Sequence, residues 1–309
     1  MNKDAIKYGV ILSAALFLFW VGVPVAAMAS TVIITYYYIM HGPKFFVGGA
    51  FALFLCMLFV SGFDVAAALL VCLYLLPLPL AMGYGFRRQR SFRIIMITSS
   101  AASALPGALI LLLNSRRTGQ SVGGLLFSDS YEAVKNAFSG MDGGGRQYLE
   151  MMEYHMDIVI EGINGIMPSV LVLSSLFTAY IIFGIVRWLL GRAGRFYSQM
   201  PYFYQLRLRR SITSIFLVIF MVSSLFGISP VTLNVIIVIT AILMVCGLSV
   251  LDYYLKFYNI PGPVRAIIYV IIFGVMPFLG GLALFPVMIL FAVGTADSYM
   301  ELRRHTQVF

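Results

Sequence analysis

The sequence predicts an all-α fold, a polytopic bundle of transmembrane helices. Hydrophobic residues make up 61% of the 309 residues and charged residues only 11%, which is too little charge to cover a soluble domain. The apolar residues form long runs, as helices that cross a bilayer require. The basic residues gather in the short links between these runs, a pattern typical of loops on the cytoplasmic side.

The apolar runs number about ten, or eight to ten spans if neighbouring runs merge. Charges, prolines and glycines separate them, because these residues end helices or fit turns. The runs lie near 8–22, 24–40, 45–61, 65–85, 94–113, 166–189, 211–228, 232–255, 264–279 and 281–297. Several are shorter than the ~20 residues of a perpendicular span, so we expect tilted or broken helices.

Charge also predicts the orientation. Between Arg187 and Arg210 lie six arginines and no acidic residue. If the first run is retained as a membrane segment and the N-terminus is cytoplasmic, this stretch and the other strongly basic links all fall inside. Both termini are then expected in the cytoplasm.

One sizeable hydrophilic segment, 114–165, carries seven acidic and four basic residues. We expect it outside, as a small helical insert with helices near 130–139 and 146–163. Acidic residues recur every three or four positions on one face of the second helix, and the apolar face is expected to cap the bundle. The predicted division is an N-terminal membrane bundle (1–113), the insert (114–165) and a C-terminal membrane bundle (166–309) with an arginine-rich loop (187–210).

Three sets of residues are candidates for function. The first set is polar and falls at the predicted outer side, where it would anchor a solute by hydrogen bonds or simply cap helix ends. It comprises Asp64, Asn114, Asn164 and Asn234. The second set is small and recurs every four residues, for packing within the bundle or for docking another membrane protein. It comprises Gly22, Ala26, Ser30, Ser99, Ser103 and Gly107.

The third set is basic and is expected to contact anionic lipid headgroups, or alternatively a partner protein. It comprises Arg87, Arg88, Arg90, Arg93, Arg187, Arg192, Arg195, Arg207, Arg209 and Arg210.

Several chemistries lack support in the sequence. The cysteines and histidines show no metal-ligand spacing, and no phosphate loop, nucleophile elbow or nucleic-acid-binding motif is present. We therefore expect no metal, no cofactor, no nucleic-acid partner and no catalytic residue. No apolar run carries a charge near its middle; Asp252 and Asp297 fall near run ends, where solvation is cheaper.

Short motifs along most of the chain resemble the YybS-like family of bacterial membrane proteins. They are the glycines of YYYIMHG and GYGFRR in the first half, and CGLSV and GTAD followed by Leu302-Arg303 near the end. Gly42-Pro43 with Gly48-Gly49 is also similar to a Gly-Pro…Gly turn in the substrate-capturing S components of energy-coupling-factor vitamin transporters. This resemblance implies a bacterial cytoplasmic (inner) membrane protein that takes a small solute from outside and depends on a separate ATP-driven module.

Two functions are therefore expected from the sequence. The first is binding or transport of a small solute by an S-component-like bundle. The alternative is a non-transporting membrane scaffold that recruits cytoplasmic or membrane partners through its arginine-rich loops. No catalytic constellation supports an enzyme.

Overall fold

The computed structural model describes residues 24–124, 144–195, 202–225, 229–275 and 284–303. Within these ranges every regular element is a helix, so the predicted all-α class is confirmed. The chain divides into two compact units, Met1–Met200 and Pro201–Phe309. The predicted run 8–22 and the predicted helix 130–139 lie outside the described residues.

The helices of the first unit begin where the sequence offers a helix start. Pro43 and Pro77 each open a helix, since proline fits the first turn, which needs no N–H donor. Asp64 caps another helix by accepting hydrogen bonds from the N–H groups of Ala66 and Ala67 at 2.9 and 3.1 Å. In order, the helices are α1 (Pro24–His41), α2 (Pro43–Val60), α3 (Val65–Leu75), α4 (Pro77–Arg87), α5 (Phe92–Thr118) and α6 (Gly144–Arg192).

Helix α1 is the centre of the first unit, because it contributes to both of its apolar clusters. Val32 and Ile39 pack with residues of α4, α5 and α6, whereas Ile34 packs with residues of α2 and α3. The helix also buries polar side chains: Thr35 is fully buried, and its hydroxyl donates to the carbonyl of Thr31 at 2.7 Å. In lipid a helix that carries hydroxyl groups is placed inside the bundle, where the groups find partners.

The second unit is built around a pair of closely packed helices. Its elements are a 3₁₀ turn (Phe203–Gln205), α7 (Arg210–Leu225), α8 (Pro230–Phe257), α9 (Gly262–Val275) and α10 (Leu284–Met300). Helices α8 and α10 cross at Gly247 and Gly294, where a Cβ on either glycine would overlap a backbone carbonyl of the other helix, that of Leu290 or Leu243. The absence of side chains at these two positions lets the backbones touch.

Five described segments are long and apolar enough to cross a bilayer, and three shorter apolar helices accompany them. The total number of spans stays a prediction. Helix α6 has 49 residues, which corresponds to about 73 Å, more than twice the thickness of the hydrocarbon core. It contains the predicted helix 146–163 and continues without interruption across the predicted boundary at 165/166.

Replacing Gly247 with alanine should destabilise the second unit. The new methyl group would overlap the carbonyl oxygen of Leu290 and force α8 away from α10, and such overpacking costs about 1–3 kcal/mol. Thermal unfolding in detergent, followed through the reactivity of the buried Cys246 in a background without the other two cysteines, should begin at a lower temperature.

Gly184→Ala is the matched control, because nothing lies within 4 Å of a Cβ built at Gly184 in α6. There alanine should leave stability unchanged or raise it by about 0.5–1 kcal/mol, since glycine weakens a helix interior. The first unit would be followed through Cys72. Equal shifts for the two variants would contradict the close crossing.

Candidate functional site

A cavity of about 340 Å³ lies inside the first unit. Its floor consists of buried side chains, and its rim includes Tyr74, whose side chain is 48% exposed. Helices α1, α3, α4, α5 and α6 all contribute to the wall. The residues that line it are Met28, Thr31, Tyr74, Leu75, Leu78, Ser103, Thr178 and Ile182. Volumes of this size lie at the lower end of the range for small-molecule sites.

An interruption of the helix Val65–Arg87 forms one side of the cavity. The helix breaks at Leu76 into α3 and α4, and Pro77 and Pro79 follow at once. Proline has no N–H group, so the carbonyls of Leu73 and Leu75 lack the donor that an unbroken helix would supply four residues later. Backbone without its regular partners is tolerated at membrane depth only where protein or a cavity surrounds it. Leu75 and Leu78 line the cavity on either side of the break.

The cavity lies about halfway along the helix Val65–Arg87 and along α5. Leu76 is about 16 Å of helix rise from each end of Val65–Arg87, and Ser103 is about 16 Å from the start of α5. Thr178 lies about 21 Å before the end of α6 at Arg192. Half the thickness of a hydrocarbon core of about 30 Å is about 15 Å, which is close to the first two of these lengths.

The polar groups at the cavity are hydroxyls. Thr31, Tyr74, Ser103 and Thr178 each offer an oxygen that both donates and accepts. One turn before Ser103, the hydroxyls of Ser99 and Ser100 are buried and have no hydrogen-bond partner within the described part of the chain. The wall of the cavity is therefore apolar, with a few uncharged polar groups.

Three of the four predicted solute anchors form hydrogen bonds with backbone groups through their side chains, and none of the four is among the described lining residues of this cavity. Asp64 caps α3, and the side-chain oxygen of Asn164 accepts from the N–H of Gly123 at 2.6 Å. The side chain of Asn234, in the second unit, donates to the carbonyl of Pro230 at 2.7 Å. Asn114 is exposed, and its carbonyl accepts from Thr118 at 2.9 Å. Their role as solute contacts stays a prediction.

The predicted small-residue ridges fall partly in the interior of the first unit. Ser30 and Ser99 are 1% and 0% exposed. Ser103 lines the cavity, and a Cβ on Gly107 would meet the ring of Tyr74 at 3.5 Å. Gly22 and the side chain of Ala26 lie outside the described residues. Packing or docking of partners by this set stays a prediction.

Basic residues gather at one end of the first unit, which we call the basic end. A stack of Phe86 on Phe183 at 4.7 Å and an edge contact of Phe92 with Phe183 at 5.0 Å hold α4, α5 and α6 together there. No acidic side chain accompanies them among the described residues of this end. The basic end comprises Lys44, Arg87, Arg88, Arg90, Arg93, Arg187, Arg192 and Arg195.

Several of these arginines lie over aromatic rings, as interfacial side chains often do. Arg192 lies 4.0 Å from the ring centre of Trp188, and Arg88 lies 5.7 Å from that of Tyr84. Arg87 donates to the carbonyl of Tyr38 at 3.3 Å and so caps the end of α1. The guanidinium of Arg87 has room there because the residue after His41 is Gly42, which has φ 97° and no side chain. A Cβ at Gly42 would come within 2.7 Å of the guanidinium.

The three predicted contact arginines of the second unit behave differently, because one of the three, Arg207, is tied to acidic side chains. Arg207 lies 3.2 Å from the carboxylate of Glu301 and 4.0 Å from that of Asp297. Arg210 lies over the ring of Tyr299 at 5.3 Å, and Arg209 is exposed. Lipid or partner contact by these arginines stays a prediction, but Arg207 already has intramolecular partners.

A polar network that sequence reasoning missed holds the 3₁₀ turn against α8 and α10. Asp297, 1% exposed, pairs with Arg303 at 3.0 Å. Arg303 also donates to the carbonyl of Leu206 at 3.0 Å, to that of Tyr204 and to the hydroxyl of Ser249 at 3.1 Å. The hydroxyl of Ser249 bridges the carbonyls of Phe203 and Leu206 at 2.5 and 3.0 Å. The turn therefore depends on side chains from two helices.

Asp252 and Asp297 were expected near solvated helix ends, but both are buried, at 6% and 1% exposure. Each is compensated by an arginine: Asp252 pairs with Arg265 at 2.8 Å, and Asp297 with Arg303. Distance from a helix end was therefore not enough to predict whether these carboxylates are solvated or buried. The signal that could have predicted their burial as ion pairs was an acidic residue with an arginine nearby in an apolar stretch.

Asp297→Asn should destabilise the second unit strongly, because it removes the negative charge from a buried pair and leaves Arg303 uncompensated. Loss of one partner of a buried pair costs about 3–5 kcal/mol. Glu301→Gln is the matched control, since Glu301 is 31% exposed and such pairs contribute about 0–1 kcal/mol. Thermal unfolding reported by Cys246 would measure both. A larger loss for Glu301→Gln would contradict the assignment of Asp297 as the central partner.

Comparison with known proteins identifies one family. Residues 11–297 match the family model described as Predicted membrane protein (DUF2232), which covers well over half of the chain. No curated protein and no solved structure matches. With its apolar helices of bilayer-spanning length, the chain is an integral membrane protein, and it belongs to the DUF2232 family of predicted membrane proteins.

Proposed function

We propose that the protein binds a small solute within the membrane, in the cavity of its first unit, as an S-component-like solute-capturing protein. The observation that carries this proposal is the position of the cavity, about halfway along Val65–Arg87 and α5 and beside the break at Leu76. Transporters commonly bind substrates near the midplane, at helices whose regular hydrogen bonding is interrupted. A bundle that served only for anchoring would gain nothing from this arrangement.

Three further features support solute binding. The cavity is bounded by five helices, so movement of one helix can open or close it. Hydroxyl groups line it at Thr31, Ser103 and Thr178, which suits the recognition of a solute by a few directed bonds. The Gly42-Pro43 turn, in which Gly42 has φ 97°, is the turn whose sequence resembles one in S components. Capture from outside and dependence on an ATP-driven module are part of this proposal.

A thermal-shift screen of solutes against the purified protein tests the proposal. A solute present at 100 times its Kd should stabilise the protein by about 2.7 kcal/mol. The shift should disappear in Thr178→Trp, whose indole would fill the cavity. It should persist in Ser174→Trp, because Ser174 lies one turn away on α6 and is exposed. Absence of any solute whose effect depends on Thr178 would overturn the proposal.

The alternative function, a scaffold for cytoplasmic partners, is favoured by the basic end of the first unit. Arg88, Arg90 and Arg93 are exposed, and no acidic side chain of this end neutralises them in the described residues. Both the solute-binding proposal and the scaffold proposal take the basic end to face the cytoplasm.

Crosslinking in intact cells separates the two functions. Replacement of Arg88, Arg90 and Arg93 by glutamine should abolish crosslinked partners if the protein is a scaffold, because the attraction is electrostatic. Thr178→Trp should leave these partners unchanged. Retention of every partner by the triple variant would argue against the scaffold.

A further inference from the structure

The charge pattern around the cavity restricts what it can bind. Among the described residues that line it, none is acidic or basic. Along the same helices, Asp64 lies about 15 Å of helix rise before Tyr74, and Arg93 lies about 15 Å before Ser103. Arg187 is the nearest in sequence, about 7 Å beyond Ile182, but it is rotated about 140° around α6 from that residue. The described parts of the helices that form the cavity therefore place no charged side chain beside its lining residues.

A charged ligand would have to give up its hydration without compensation. Transfer of an unpaired ion into a low-dielectric interior costs several kcal/mol even after relaxation. Such a cost corresponds to binding at least about 100-fold weaker than that of an uncharged molecule of the same shape. The four lining hydroxyls, by contrast, can donate to or accept from a neutral polar group.

Two of the lining side chains favour a ring. The ring of Tyr74 lies beside Gly107, where a Cβ would meet a ring carbon at 3.5 Å, and Met28, which carries a thioether, belongs to the same lining. Aromatic faces and thioethers both make favourable contacts with ring edges and faces. A volume of about 340 Å³ accommodates a single or fused ring with a short substituent.

We propose that the cavity selects an uncharged, ring-containing small molecule that presents one or two hydrogen-bonding groups. This inference rests on the proposed function, since it names the chemical class of the solute for the same site. Ser103 and Thr178, on facing helices, are the hydroxyls that contact the polar group. Tyr74 and Met28 cover the ring.

Three probes of matched size test the charge selectivity: tryptophol is neutral, tryptamine is a cation and indole-3-acetate is an anion at pH 7.4. Binding to the detergent-purified full chain is measured with radiolabelled tryptophol and by competition with the unlabelled compounds. Tryptophol should compete at least about 100-fold better than either charged analogue. Its binding should disappear in Thr178→Trp and persist in Ser174→Trp.

Each other result contradicts the proposal in a distinguishable way. Equal competition by tryptamine or indole-3-acetate would overturn the neutral class and leave solute binding intact. Tryptophol binding that survives Thr178→Trp would place the ligand elsewhere. Failure of all three probes would overturn the ring-containing class, whereas the proposed function would fall only if the solute screen also yields no Thr178-dependent ligand.

Ser103→Ala, a smaller change than Thr178→Trp, should weaken tryptophol binding about 5- to 10-fold through loss of one hydrogen bond.

Discussion

The absence of water in the bilayer core is the constraint on which this structure depends. Lipid tails solvate leucine and phenylalanine as well as a protein interior does, so burial of apolar side chains does not drive the helices together. Close packing and internal hydrogen bonds must do so instead. Phe51, Phe59 and Leu105 accordingly remain on the outside of the first unit, whereas its interior contains hydroxyls and small residues.

The two units satisfy this constraint by different means. The second unit brings α8 and α10 into backbone contact at Gly247 and Gly294 and closes its end with the Asp297–Arg303 pair. The first unit packs aromatic rings against glycines, as where Tyr38 lies on Gly83, but leaves a cavity beside the break at Leu76. Space inside a helix bundle is unfavourable for packing, and this space is the site of the proposed solute binding.

Sequence reasoning predicted the parts of this fold that depend on local composition. Hydropathy predicted the helical membrane class, and Pro43 and Asp64 lie at or beside helix starts because their effect on the backbone is local. The break at Leu76 falls inside the predicted run 65–85 and was not predicted. The cavity was not predictable in the same way, since Thr31, Tyr74, Ser103 and Thr178 come from four helices whose pairing no short pattern encodes. The network around Arg303 was missed for the same reason: Ser249 and Phe203 are brought together across 46 positions of sequence.

The sequence also predicted polar residues near helix ends as solute anchors, which stays a prediction, and the side chains of three of them bond to backbone groups. Asp64, Asn164 and Asn234 each have a backbone group within reach in their own turn or an adjacent loop. Polar side chains at helix ends commonly find such partners. Hydroxyls inside apolar runs were the more informative signal, because in that environment a polar atom has few alternatives to another protein group or a ligand.

The continuity of α6 has a geometric consequence. Because one helix runs from Gly144 to Arg192, the angular phase of its first turns is locked to that of Phe183 and Val186 in the core. One inserted residue between 164 and 167 would turn everything before it by about 100° and shift it by about 1.5 Å along the axis. Asn164 would then face another neighbour, and its hydrogen bond with Gly123 would be lost. The continuous helix therefore fixes both the axial position and the orientation of its own first turns relative to the core.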